Sequence, residues 1–213
     1  MKRRVRGLTV PEILVTAVLL GALMQLVVTT LNVLNRSKIG LMVRTEPRQQ
    51  LRSFVIQLQN DLRSASYIYP PGTYSIMGTD VIVPDVDTTG NGVIFAVPQN
   101  SAGPPSFKVC SAFIRPRQKN DIRNPDAYEA VYYYVENVTP SLSIYPSEID
   151  PTTLTGGSLK VFDAYIDGPT GFRSQLTPSG FGINFQVDYK RTPIKGDTTA
   201  QKLSSTVVMR NGI

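Results

Sequence analysis

Residues 1–34 read MKRRVRGLTVPEILVTAVLLGALMQLVVTTLNVL, and this stretch decides the fold of the first part of the chain. Four basic residues precede Gly7, and residues 13–34 carry no charged side chain. As an α-helix, this apolar run would extend about 33 Å, which is enough to cross the hydrocarbon core of a bilayer. The sequence therefore predicts a membrane-spanning helix.

Two alternatives to a membrane span exist for this run. A buried helix of a soluble domain seldom extends over this length without a charge. A secretory signal peptide also has a basic start, but its apolar region covers only about 7–15 residues and leads to a small-residue cleavage site. Here the run is longer and is followed by Asn35-Arg36-Ser37-Lys38. The pattern therefore favours a membrane span.

Glu12 is the one carboxylate in residues 1–34. A carboxylate beside a membrane-length apolar helix is costly unless it is paired. The pair Thr9 and Glu12 also matches a capping box, with Thr9 as the N-cap, and a carboxylate there complements the helix dipole. The two interpretations are compatible, but the capping box does not explain Gly7 and the basic residues before it.

The basic start, Gly7, Leu8 and Glu12 together resemble the processing site of type IV prepilins and pseudopilins. The resemblance implies that a prepilin peptidase cuts between Gly7 and Leu8 and methylates the new amine of Leu8. It also implies that Glu12 pairs with the N-terminal amine of a neighbouring subunit in a filament. Leu8 stands where the family commonly has Phe, and Pro11 stands where an aliphatic residue is usual.

An amphipathic pattern follows the apolar run. Apolar residues recur at helical spacing and predict that residues 35–69 continue the helix. We expect a kink or a short break near Pro47 and an end at the Tyr69-Pro70-Pro71-Gly72 segment. The residues of the apolar stripe are Leu51, Phe54, Val55, Leu58, Leu62 and Ala65.

The segment Asp61-Leu62-Arg63-x-Ala65 carries a second resemblance. Members of the minor pseudopilin J and minor pilin W group often have a D-L-R-x-A-like sequence at the end of this helix. Without the resemblance, Asp61 and Arg63 would be interpreted as solvated helix charges. The ending Arg210-Asn211 also resembles the close of the final strand in many minor pilins and pseudopilins.

From Tyr74 onward the pattern changes to strands. Because no helical pattern separates the strands, we predict a mostly antiparallel sheet. The fold class is α+β, with a long N-terminal helix packed on that sheet, and it is pilin-like by resemblance. The β-branched or aromatic runs, separated by turn residues, cover residues 80–83, 92–97, 107–114, 130–135, 159–166, 183–189 and 202–209. The predicted domains are a leader (1–7), a transmembrane and assembly helix (8–34), its amphipathic continuation (35–69) and a β-rich globular domain (70–213).

Composition excludes several classes of site. The formal net charge is +6, but four positive charges lie in residues 1–7, so loss of that leader would leave +2 and little reason to expect nucleic-acid binding. The single cysteine, Cys110, permits no intrachain disulfide and is predicted to be a buried strand thiol. The chain has no histidine, which removes Ser-His and Cys-His nucleophile pairs. We predict no enzyme activity, no catalytic residues and no cofactor.

Two further segments are weak candidate sites. Asp85, Asp87 and Asn91 place oxygen ligands in a glycine-containing loop, as calcium loops do, although a plain hairpin turn explains them better.

Arg115, Arg117 and Lys119 form a basic segment near Tyr128 and Tyr132–Tyr134 in sequence. Basic residues with aromatic residues can bind single-stranded DNA, although such tyrosines are mostly core residues. DNA is therefore a partner that the sequence alone does not support.

The sequence favours a minor pilin or minor pseudopilin of a type IV pilus, a DNA-uptake pilus or a type II secretion pseudopilus. The implied partners are prepilin peptidase, other pilins or pseudopilins and membrane lipid. The implied location is the bacterial inner membrane, with a cytoplasmic N-terminus and a periplasmic C-terminal domain, and then the filament. The alternative is a membrane-anchored periplasmic binding domain, for DNA or a secreted substrate, that never joins a filament.

Overall fold

The structure is a computed structural model and describes residues 10–99, 104–117, 128–141, 144–179, 182–190 and 200–209. Two compact units, Met1–Val43 and Arg44–Ile213, divide the chain. The elements are α1 (Val10–Ser64), β1 (Tyr67–Ile68), β2 (Gly72–Ile76), β3 (Thr79–Val83), β4 (Gly92–Gln99), β5 (Ser106–Pro116), β6 (Tyr128–Val138), a 3-10 helix (Pro146–Glu148), β7 (Ser158–Ile166), β8 (Phe172–Leu176), β9 (Gly182–Lys190) and β10 (Ala200–Val208).

The first unit contains the apolar part of α1. The segment Val10–Ser37 is long and apolar enough to cross a membrane, by length and composition, and its side chains are all exposed. This confirms the predicted N-terminal apolar helix and makes the segment a candidate membrane anchor. Gly7 and Leu8, the predicted processing site, lie outside the described residues, as does Thr9.

In the second unit, the last part of α1 packs on the sheet. Its apolar stripe is buried as the helical spacing predicts, with Phe54 and Leu58 at 0% exposure. Every residue from 35 to 64 is helical, so the short break that we expected near Pro47 is wrong. A proline inside a helix removes one backbone donor, and the hydrogen bonds on either side of it can continue.

The helix ends at Ser64, earlier than the Tyr69-Pro70-Pro71-Gly72 segment that we predicted as its end. The chain beyond it joins the sheet, because β1 pairs with β4 through Tyr67 and Ile68. The backbone N–H of Ser66 donates to the carbonyl of Ala96 at 2.9 Å. Residues 65–69 of the predicted helical range therefore leave the helix and begin the sheet.

The sheet of the second unit is antiparallel in every pairing that the structure describes, as predicted. Its strand order is β1-β4-β5-β6-β7-β9-β10, and β8 also pairs with β9. The hairpin β2–β3 forms a separate two-stranded sheet. All seven predicted strands are present, and each observed end lies within three residues of the predicted one.

Alternate residues of the central strands pack on opposite faces of the sheet, as a period of two requires. On β4, Val93 and Phe95 join the cluster of buried side chains around α1. Their neighbours Ile94 and Ala96 join a second cluster, which contains residues of the β2–β3 hairpin and Ile149. The central strands are therefore covered on both faces.

Three strands, β1, β2 and β8, were not predicted. The β2–β3 hairpin turns through Met77 and Gly78, which have φ angles of 51° and 74°. Such two-residue turns usually carry Asn or Asp before the glycine, so Met77 conceals the signal. In β8, one of the two buried positions is occupied by Ser174, whose hydroxyl donates to the carbonyl of Gly92 at 2.7 Å. A polar core residue breaks the alternation from which strands are predicted.

Candidate functional site

Glu12, the predicted assembly residue, lies in the first turn of α1 and is exposed. The Thr16 hydroxyl donates to the backbone carbonyl of Glu12 at 2.9 Å, so the helix itself satisfies this exposed hydroxyl. A carboxylate at this end of a helix is stabilised by the helix dipole. The structure therefore places Glu12 where the sequence predicts it, at the start of the candidate membrane anchor.

At the other end of α1, Asp61 connects the helix to the sheet. Its carboxylate accepts a hydrogen bond from the Nζ of Lys108 on β5 at 3.1 Å. It also accepts a hydrogen bond from the hydroxyl of Tyr132 on β6. The side chains of Asp61 and Lys108 are only 23% and 18% exposed. We call Asp61, Lys108 and Tyr132 the Asp61 cluster.

The ring of Tyr134 adds to the Asp61 cluster. The Nζ of Lys108 lies 4.6 Å from the centroid of this ring, within the range of a cation–π interaction. Burial by itself lowers the pKa of Lys108, whereas Cys110 and the hydrogen bond and charge of Asp61 raise it, and the net shift is upward. Lys108 is therefore fully charged at neutral pH when it binds Asp61.

Cys110 and Tyr132 remain protonated in this environment. Burial raises the pKa of Cys110 to about 12, and the thiol is fully buried, which confirms the prediction of a buried strand thiol. Burial, followed by the nearby Cys110 and Asp61, also raises the pKa of Tyr132 far above its ordinary value. Because a thiolate is the reactive form of cysteine, Cys110 is not an activated nucleophile. The Asp61 cluster is therefore suited to holding the helix on the sheet.

The default interpretation of Asp61 as a solvated helix charge is wrong. Asp61 lies three residues after Leu58 and four before Ala65, on the same stripe that faces the sheet. That spacing is the signal in the sequence that could have indicated its burial. Arg63, in contrast, is exposed. Of the D-L-R-x-A segment, Asp61, Leu62 and Ala65 therefore face the sheet, and Arg63 is exposed.

The weak calcium candidates serve the structure of their loop. The amide of Asn91 accepts from the N–H of Ile82 at 2.7 Å and donates to the carbonyl of Asp80 at 3.1 Å. The carboxylate of Asp85 accepts from the N–H of Val86 at 2.7 Å, which is ordinary turn chemistry. Asp87 is exposed. Within the described ranges, no three acidic or cysteine residues are grouped so that they could hold a metal ion.

The described part of the basic segment, Arg115 and Arg117, offers little exposed charge for DNA binding. Arg115 is 8% exposed, and its Nε donates to a Glu129 carboxylate oxygen at 2.9 Å across the β5–β6 pair. Arg117 is half-buried, and Lys119 lies outside the described residues. Tyr132 and Tyr133 are buried, so their rings are not available for stacking with bases.

A polar cavity that the sequence did not indicate lies over β8, β9 and β10. Its volume is about 540 Å³. Two cross-strand rows line it, Arg173–Gln186–Ser204 and Gln175–Asn184–Thr206. Several of these groups bond to one another or to near neighbours, as in the 2.7 Å bond from the Thr206 hydroxyl to the amide oxygen of Asn184. The lining contains no acid–base pair or nucleophile with a partner.

The candidate functional elements are thus the exposed apolar helix with Glu12 at its start and the Asp61 cluster at its end. The first is long and apolar enough to cross a membrane, and the second is suited to attachment of a globular domain. No protein-family model, no curated protein and no solved structure matches this chain. The interpretation of its function therefore depends on its own residues and their geometry.

Proposed function

We propose that this chain is a minor pilin or minor pseudopilin, a structural subunit that is processed between Gly7 and Leu8 and assembled through its N-terminal helix. The observation that carries the proposal is the exposed apolar segment Val10–Ser37, which has a carboxylate in its first turn. Lipid covers such a segment in the membrane, and neighbouring helices cover it in a filament. The basic residues and Gly7 before it supply the matching processing signal.

In this proposal, Glu12 acts when the subunit is assembled into a filament. Its carboxylate pairs with the methylated N-terminal amine of a neighbouring Leu8 as the helix leaves lipid for a bundle of helices. A paired carboxylate is tolerated in apolar surroundings, whereas an unpaired one is strongly disfavoured. The partners of the chain are prepilin peptidase, other pilins or pseudopilins, and the lipid of the inner membrane.

The β-domain is the periplasmic part of the subunit and makes lateral contacts. The Asp61 cluster attaches it to the amphipathic end of α1 through a charged pair and a tyrosine hydroxyl. The attachment is internal to the domain, so it holds before and after assembly. The resemblance of the D-L-R-x-A segment to the minor pseudopilin J and minor pilin W group supports a minor subunit.

Incorporation into filaments tests the proposal. We expect a Glu12→Leu variant to enter the membrane normally but to be depleted from filaments or pseudopili, because it cannot pair with the amine. A Thr16→Leu variant, one turn further along, is the matched control and should assemble. Normal assembly of Glu12→Leu would refute the pairing role.

The alternative is a membrane-anchored periplasmic binding domain that never enters a filament. The polar cavity over β8, β9 and β10 is the observation that favours it. In that case neither wild type nor variant would be recovered in filaments, and alteration of the cavity, for example by Gln186→Ala, would weaken binding of a polar ligand.

A further inference from the structure

Five polar side chains interrupt the apolar run of α1, and the structure separates them into two groups. The hydroxyls of the three threonines donate to carbonyls of their own helix. Thr16 donates to Glu12 at 2.9 Å, Thr29 to Gln25 at 2.7 Å and Thr30 to Leu26 at 2.8 Å. The threonines are therefore compatible with a lipid environment, because the helix satisfies their hydrogen bonds.

The second group is Gln25 and Asn32. Both side chains are exposed, and neither amide bonds to any residue that the structure describes. An amide has two donors on nitrogen and an acceptor oxygen, and an unpaired amide in hydrocarbon is costly. Gln25 lies close to the middle of the apolar run 13–34, too deep for its amide to reach the headgroups. It requires a partner that lies within the membrane.

The two amides lie on one face of the helix. They are seven residues apart, which places them about 10 Å apart along the axis and only about 20° apart around it. The same face extends at alternating steps of four and three residues, the spacing at which helices pack along a shared seam. We call this face the amide seam, and it consists of Val18, Ala22, Gln25, Thr29 and Asn32.

We propose that the amide seam is a contact site for a second copy of this chain in the membrane. An amide is self-complementary, since its N–H donors can bond to the oxygen of an identical amide. Copies of one chain insert with the same orientation, so Gln25 and Asn32 of each copy lie at the same depths. A parallel pair therefore satisfies both amides with two interhelical contacts. The small side chain of Ala22 lets the helices approach between these contacts.

The amide seam is separate from the assembly residue. Glu12 lies thirteen residues before Gln25 and therefore points about 140° away around the helix. One face can thus contact a second copy while Glu12 faces a different neighbour. The inference rests on the proposed function only in that the helix must lie in a membrane.

Energy transfer between labelled copies in lipid vesicles tests the inference. Full-length chains with donor or acceptor fluorophores at the C-terminus are reconstituted in phosphatidylcholine vesicles over a range of protein-to-lipid ratios. We expect wild type to dimerise, and the double variant Gln25→Leu/Asn32→Leu to require at least about a tenfold higher protein-to-lipid ratio. Thr30→Leu makes the same kind of change about 140° from Gln25 and should behave as wild type.

Cysteine cross-linking tests the orientation. A variant with Ala22→Cys should form a disulfide-linked dimer in the same vesicles. A variant with Leu20→Cys, about 160° away around the helix, should not. Cys110 is buried and does not interfere.

Three outcomes contradict the inference. These are a wild type that stays monomeric at every ratio, a double variant that dimerises as wild type does, and equal cross-linking at both positions. A monomeric wild type would mean that the amides face a helix of a different membrane protein.

The test does not depend on processing, and a Glu12→Leu chain should dimerise as wild type does. If the chain dimerises but is never cleaved between Gly7 and Leu8, only the proposed function is contradicted. If the chain is cleaved but stays monomeric, only this inference is contradicted.

Discussion

The carboxylate of Asp61 on α1 accepts a hydrogen bond from the hydroxyl of Tyr132 on β6, across the interface between the helix and the sheet. The same carboxylate binds Lys108 at 3.1 Å. The last part of α1 is attached to the sheet by these contacts and by the apolar stripe of the helix. Apolar packing supplies most of this attachment, and the Asp61 cluster fixes the position of the helix on the sheet.

Replacement of Asp61 by alanine should destabilise the domain by about 2–4 kcal/mol, because Lys108 loses its counter-charge and the hydroxyl of Tyr132 loses its acceptor. The chain has no tryptophan, so unfolding in urea is followed by tyrosine fluorescence of the full chain in detergent. Arg63→Ala, two residues further on and exposed, should change the free energy of unfolding by no more than about 0.5 kcal/mol. Equal effects of the two variants would show that Asp61 is a solvated charge.

The domain should lose stability in alkali. The folded state holds the proton of Cys110 up to a pKa of about 12, whereas the unfolded chain releases it from about the ordinary thiol pKa of 9.0. Above that pH the unfolded state binds fewer protons, so the free energy of unfolding falls, by up to about 1.4 kcal/mol per pH unit for each such group. The raised pKa values of Tyr132 and Lys108 act in the same direction above the ordinary pKa values of these side chains, 10.0 and 10.5.

Urea titrations between pH 7 and pH 10 measure this dependence. The free energy of unfolding should be flat near neutral pH and should fall above pH 9. A Cys110→Ala chain should show a smaller decline just above pH 9, where the thiol is the main contributor. If the free energy of unfolding fell equally in that variant, the Cys110 thiol would not be the cause of the decline.

The buried pair of Arg115 and Glu129 should behave differently when one partner or both are replaced. Removal of either charge alone leaves the other buried and unpaired, and should cost about 3–5 kcal/mol. The double variant Arg115→Met/Glu129→Leu replaces the pair with apolar side chains and should be about as stable as wild type or more stable. Additive losses in the double variant would contradict the assignment of a buried pair.

The sequence predicts the parts of the fold that depend on periodicity. The buried stripe around Phe54 and Leu58 follows from helical spacing, the apolar run from its length without a charge, and seven strands from β-branched or aromatic runs between turn residues. The strands β1, β2 and β8 were not predicted, because none of them carries a regular pattern. β1 is a two-residue pairing, β2 leads into an unusual turn at Met77, and β8 buries the polar Ser174. In these places tertiary contacts determine the local structure.

The candidate site was predictable only at its N-terminal end. Glu12 stands out because a carboxylate is rare beside a membrane-length helix. Asp61 and Arg115 look like ordinary surface charges in sequence, and only their partners, Lys108 and Glu129, show that they are held inside the domain. The distances along the chain from Asp61 to Lys108 and to Tyr132 are long, so no local pattern could have joined them.

The mass of the N-terminus tests the central claim most directly. The full chain is expressed together with a prepilin peptidase, extracted from the membrane and measured by mass spectrometry. A Gly7→Val chain, which alters the residue before the cut, serves as the control and should keep its leader. We predict that the wild-type chain begins at Leu8 and carries one additional methyl group on its amine. A wild-type chain that retains Met1 and the residues up to Gly7 would contradict the account.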